Sequence, residues 1–179
     1  PAVSPWIRYL WGHLHERQGN TGKALGHYLS VLEDLPRDPW VHLRTGILQE
    51  QQGEQEQALF HYKTASDAYP DSFRILFRRS IVTMNLLQEE ESIRIHQKMI
   101  ELRPEHALSL NNLAWMYLTA KDRSLRQPEK ALELALKSVE LEATIDHIDT
   151  LAEAYFQTGQ TGKAIETLRK GIREASYPK

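Results

Sequence analysis

The sequence predicts an all-α solenoid, and three observations predict it. Proline recurs at Pro36, Pro70 and Pro104, each 34 residues from the next. Small and aromatic residues keep the same period: Gly12 with Gly46, Gly19 with Gly53, Ala24 with Ala58 and then Ser92, and Tyr28 with Tyr62 and then His96. Within each period apolar residues fall at helical spacing, and no sustained alternation bounded by hairpin turns points to a strand. A fixed period of this length marks a repeat array, in which each unit buries its apolar face against its neighbours.

Taken in order, each unit reads as helix, short turn, helix. The helices are predicted near residues 5–18, 21–34, 39–52, 55–68, 73–86, 89–102, 107–120, 128–141, 145–158 and 161–174. Gly19-Asn20, Gly53-Glu54 and Gly159-Gln160 stop one helix and turn the chain into the next. The proline that closes a unit cannot continue a helix interior, because it lacks an N–H and clashes with the preceding turn. Glu89-Glu90-Glu91 opens a helix, where the dipole favours negative charge. After Pro104 the period slips. Leu110, Leu113, Ala114 and Tyr117 carry a first helix, and Ala131, Leu132, Ala135 and Val139 a second one that starts late. The polar segment 121–127 between them is expected to protrude as a longer loop or helix extension, so that Arg126→Ala would cost under about 0.5 kcal/mol as a surface change.

Composition bounds the function. The 179 residues suit one domain or one repeat array, with 41% hydrophobic and 26% charged residues. Lys and Arg total 22 against 24 Asp and Glu, a balance that offers no electrostatic footprint for nucleic acid. No apolar run approaches the roughly 18 residues a membrane helix needs, so no membrane insertion is expected. There is no cysteine, hence no disulfide framework, thiolate metal site or cysteine nucleophile. The compartment stays open between cytoplasm and bacterial periplasm. The start Pro1-Ala2-Val3 suggests a piece of a longer protein. Eight histidines are scattered through the units, and His13 and His15 stand two apart, poor spacing for shared metal ligation. Every glycine sits at a turn or a helix crossing, none in a phosphate-cradling loop. No cofactor, metal or catalytic site is expected, and the chain reads as a non-enzyme.

With Pro5 as position 1, position 8 is Gly12, Gly46, Ser80, Ala114 and Ala152, and position 20 is Ala24, Ala58, Ser92, Ala131 and Ala164. All ten are small, as needed where two helices cross closely. In this the units resemble the tetratricopeptide repeat, with a hint of its bacterial members in the stretches NNLAW and DTLAEAY. The resemblance implies a right-handed α-solenoid of five hairpins over residues 1–179, with repeats at about 5–38, 39–72, 73–106, 107–144 (carrying the insertion) and 145–178. There are departures: Arg8 stands at position 4, Arg79 at position 7, Leu87 where a turn glycine is usual and Met99 where a small residue is usual. The third repeat, with three of these, is expected to pack least regularly.

In the family the first helices line a concave groove. The resemblance therefore implies a scaffold or adaptor that binds another protein or peptide segment there. Trp40, Arg44, Arg74, Arg78, Asn111, Asn112 and Trp115 fall at groove positions, as do Trp6, Tyr9 and Phe77. Arginine and aromatic side chains anchor binding faces, although large aromatics in helices also serve as core. A side-chain amide both donates to and accepts from a peptide backbone, which suits Asn112. Central arginines and the acidic Asp146, Asp149 and Glu153 would orient an extended segment. The carboxylate clamp of chaperone-binding members is not matched. Two alternatives remain: a regulatory or substrate-docking part of a larger enzyme, and a structural part of a bacterial envelope or secretion assembly. Uncapped ends leave room for a homo-oligomer.

Overall fold

The computed structural model describes residues 3–176, and within them every regular element is helical. The chain divides into two compact halves, Pro1–Gln88 and Glu89–Lys179. The first contains α1 (Pro5–Arg17), α2 (Thr21–Asp34), α3 (Pro39–Gln51), α4 (Gln55–Ala68) and α5 (Phe73–Asn85). The second contains α6 (Glu89–Leu102), α7 (Ala107–Thr119), a 3-10 turn (Arg123–Leu125), α8 (Pro128–Leu141), α9 (Ile145–Gln157) and α10 (Thr161–Ser176). Each boundary falls within two residues of its predicted place, and the last residues of the expected fifth repeat, 177 and 178, lie outside the described residues. None of the described helices is long and apolar enough to cross a membrane.

The hairpin turns share one backbone device. Position 15 has positive φ in four repeats: Gly19 at 75°, Gly53 at 81°, Gly159 at 77° and Leu87 at 55°. The residue after it donates its N–H five residues back, as Asn20 to the His15 carbonyl at 2.9 Å and Gln88 to that of Thr83 at 3.0 Å. This is the Schellman closure, which glycine enters freely and leucine only at a cost of about 1 kcal/mol. The third hairpin thus keeps the turn geometry without the glycine. The division between the two halves falls directly after this turn, so α5 and α6 belong to different halves.

The ten small residues at positions 8 and 20 are all buried. In the N-terminal half the core holds Ala24, Tyr28, Val31, Val41 and Leu48 in one cluster. A second cluster gathers Leu43, Ile47, Ala58, Tyr62, Ile75 and Val82. In the C-terminal half α7 and α8 bring together Leu113, Ala114, Tyr117, Ala131 and Ala135, and α9 adds Leu151 and Ala154. Two departures from the family pattern are absorbed by hydrogen bonds. Arg8 donates to the Ser30 carbonyl at 2.7 Å and to the Asp34 carboxylate, and Arg79 donates to Ser66 Oγ at 2.8 Å.

The insertion is a longer loop, exposed at five of the seven residues 121–127, and it is pinned at both ends. Glu89 accepts from the backbone N–H groups of Lys121 (2.8 Å) and Asp122 (3.3 Å), and Leu125 packs on the core. Asp122 caps the 3-10 turn through the Ser124 N–H at 2.8 Å, and the Ser124 hydroxyl first, then this N–H, holds its carboxyl below the usual range. Arg126 Nε donates to the Ala120 carbonyl at 2.8 Å, closing the loop on itself. Arg126→Ala is therefore expected to cost about 0.5–1.5 kcal/mol, more than a bare surface change, because it removes a hydrogen bond to a backbone carbonyl. Chemical denaturation of the two proteins side by side checks this: equal midpoints would show that the bond contributes nothing.

Candidate partner-binding site

In the N-terminal half the predicted groove arginines meet glutamates of the preceding first helix. Arg44 Nη1 donates to Glu16 Oε1 at 2.9 Å, and Tyr28 Oη donates to the other oxygen at 2.6 Å. One repeat later Arg78 lies 3.6 Å from Glu50, which also accepts from Tyr62 Oη. Burial, then the bond to glutamate, pushes both phenols well above their ordinary pKa, so they remain donors. Burial, the largest single effect, would lower the pKa of Arg44, but the Glu16 carboxylate together with Tyr9 and Tyr28 outweighs it and raises it. These arginines tie adjacent hairpins together. Arg74 is exposed. Trp40 is half exposed, with one face against Tyr69 at a ring separation of 5.5 Å.

The glutamates and tyrosines of this clasp escaped the sequence reading. A signal was present: Glu16 and Glu50 stand 34 residues apart, as do Tyr28 and Tyr62, and Arg44 and Arg78. Three series in one register, two of opposite charge, point to an ionic contact repeated at each junction.

In the C-terminal half α7 and α9 lie against each other and leave a groove of about 310 Å³. Asn111, Asn112 and Trp115 line one wall, and Asp146, Asp149 and Thr150 the other. Three of the predicted site residues are thus brought together in one depression. Trp115 is 41% exposed and is not consumed by the core. Asn111 is buried, and its Oδ1 meets no hydrogen-bond donor. The Asn112 amide lies 3.4 Å from His96 Nε2, whose ring is fixed by Nδ1 donating to the Ser92 carbonyl at 2.9 Å. Burial lowers the pKa of His96, so its Nε2 stays an acceptor and the Asn112 amide nitrogen is turned toward it. The two aspartates make the opposite wall anionic.

A tetratricopeptide repeat family model matches residues 9–80, and a second model of the same repeat matches residues 149–176. Among solved structures, the crystal structure of MamA protein is 19% identical with a TM-score of 0.81, covering 98% of this chain and 96% of that one. MamA (residue 41 to the end) from Desulfovibrio magneticus is also 19% identical, with a TM-score of 0.79 over 98% of this chain and 97% of that chain. A tetratricopeptide repeat protein from Parabacteroides merdae is 16% identical with a TM-score of 0.80, over 97% of this chain and 68% of that one. No curated protein sequence gives a significant match. At such identities the likeness concerns the fold, an all-α solenoid of helical hairpins.

Proposed function

Because the chain belongs to the tetratricopeptide repeat family, we propose that it is a protein-interaction scaffold that holds an extended segment of a partner protein against its first helices. The observation that carries this reading is the α7–α9 groove, where Asn111, Asn112 and Trp115 face Asp146 and Asp149 across one depression. The chemistry suits an extended segment. The Asn111 and Asn112 amides are of a kind that pairs with a peptide backbone, Trp115 supplies an apolar anchor, and the aspartates favour a Lys or Arg side chain of the partner. In the N-terminal half, Arg74 is the exposed cation offered to an acidic group, and Trp40 offers its free face. Arg44 and Arg78 contribute by holding the hairpins in register.

Peptides selected by phage display on the 179-residue chain supply the test. Their affinities are measured by fluorescence anisotropy for wild type, Asn112→Ala, Trp115→Ala and Asp149→Lys. Each variant is expected to weaken binding about tenfold or more, since loss of an anchor costs roughly 1–2 kcal/mol. Arg74→Glu should weaken peptides that carry acidic residues. If all of these folded variants bind like wild type at physiological salt, the groove assignment fails.

A further inference from the structure

Two carboxylates that line the α7–α9 groove, Asp146 and Asp149, have no counter-charge. They stand at i and i+3 on α9 and so neighbour each other on the helix surface. Neither α7 nor α9 contains a Lys or Arg, and among the described residues no ion pair reaches either aspartate. The N-terminal half differs, because there Glu16 and Glu50 are met by Arg44 and Arg78. Asp146 lies in the first turn of α9, where the helix dipole alone favours a carboxylate. Asp149 lies beyond that turn. The helix start is already capped by Thr144, whose Oγ1 accepts from the His147 N–H at 3.3 Å, so it gives Asp149 no such role.

The rest of the lining has hydrogens that are already given away. Thr150 Oγ1 donates to the Asp146 carbonyl at 3.0 Å, and His147 Nδ1 donates to the Glu142 carbonyl at 2.7 Å. Asn111 is 6% exposed, and among the described residues its Oδ1 meets no donor. A buried acceptor without a donor is costly, so a ligand that brings a donor is favoured. On the α7 side Trp115 offers a partly exposed indole ring. Two carboxylates, an acceptor lacking its donor and an aromatic face together suit a planar cation built only of donors.

Resting on the groove reading above, we propose that the α7–α9 groove recognises an arginine side chain of the bound segment and prefers it to lysine. The guanidinium presents its N–H donors in a rigid fork and has no acceptor, so it pairs a carboxylate bidentately and still donates to a second group. Its plane stacks on an aromatic face, and it is more weakly hydrated than an ammonium. The lysine ammonium is a compact, strongly hydrated point charge on a flexible stem. It meets the aspartates without the fork and without stacking on Trp115.

Nuclear magnetic resonance on the isotope-labelled 179-residue chain tests this with amino-acid amides as probes. N-acetyl-arginine amide is titrated while the indole N–H signal of Trp115 is followed, that signal being assigned by its loss in Trp115→Phe. It should shift saturably with a Kd on the order of millimolar, the scale for so small a ligand. N-acetyl-lysine amide should bind about fivefold or more weakly. N-acetyl-citrulline amide, the same shape without the charge, should give no saturable shift. Asp149→Asn is isosteric at an exposed position, so it should keep the fold and lose about fivefold or more of the arginine affinity. Equal affinities for the arginine and lysine probes overturn the proposal. So does an arginine probe that leaves Trp115 unmoved, or an affinity unchanged in Asp149→Asn. If selected peptides still lose affinity in Trp115→Ala under those outcomes, the groove reading stands and only the preference for arginine falls.

Discussion

Replacing Gly46 with leucine is expected to lower stability by about 3 kcal/mol or more, the upper end of overpacking effects. A Cβ at this position would lie 2.8 Å from Tyr62 Cε1, 3.0 Å from Cδ1 and 3.3 Å from the Ala58 carbonyl oxygen. The ring has nowhere to go. Tyr62 is fully buried, and its hydroxyl is held by Glu50, which in turn lies beside Arg78 at the next junction. Yielding to the new side chain would therefore disturb both the hairpin and the clasp to α5. At roughly 2–4 °C per kcal/mol for a chain of this size, the melting midpoint should drop by about 6–12 °C. Ala58→Leu, at the facing fully buried crossing position, should behave alike. Gly26→Ala provides the control: a Cβ there meets nothing within 4 Å, and removing a helical glycine should stabilise by about 0.5–1 kcal/mol. Equal melting shifts for Gly46→Leu and Gly26→Ala would refute the register in which position 8 is a helix crossing.

Acidification should destabilise the N-terminal half between about pH 6.5 and about pH 4, through His61. His42 and His61 are buried with their Nδ1 atoms 2.7 Å apart, and His42 Nε2 donates to the Pro36 carbonyl at 3.0 Å. With His42 Nε2 carrying the proton given to Pro36, His61 Nδ1–H donates to His42 Nδ1. Burial first, and the neighbouring His42 second, push the His61 pKa down from 6.5 to about 4. In that window the unfolded chain binds the proton and the folded chain does not, so stability is complete above 6.5 and is lost as pH falls toward 4. The displacement is worth at most about 3.5 kcal/mol, at about 1.4 kcal/mol per pKa unit. His61→Gln keeps a donor to His42 and removes the titration. Thermal melts of the two proteins from neutral pH down to about pH 4.5 should show a shallower slope for the variant. Parallel slopes would mean that the pair is not the source. Burial also lowers the pKa of His96 and His106, so a residual slope from the C-terminal half is expected in both proteins.

The candidate site was half legible in the sequence. Asn111, Asn112 and Trp115 were found because a groove position in a first helix depends only on the repeat frame, and the frame is written in the small residues at positions 8 and 20. Arg44 and Arg78 occupy groove positions in the same frame, yet their guanidinium groups turn to Glu16 and Glu50. Position 6 borders both the groove and the preceding hairpin, and a flexible side chain there goes to whichever carboxylate is near. The aromatics show the same ambiguity. Trp6, Trp11, Trp40 and Trp115 are all 41% exposed or more, although large aromatics on helices are more often core.

By itself the sequence determined the helices, their turns and the crossings. These rest on local properties: apolar spacing at 3.6 residues, chain reversal at glycine, and the volume allowed where two helices touch. Leu87 marks the limit of that rule, since it adopts the positive φ of a glycine at 55° because the hairpin around it requires the turn. Tertiary structure alone decided the rest. It anchored the start of the 121–127 insertion to Glu89 and spent two arginines on junctions. Each of these depends on which groups from distant parts of the chain come within bonding distance. Charge and side-chain reach are visible in a sequence, but the partner that satisfies them is set only when helices far apart along the chain are packed side by side.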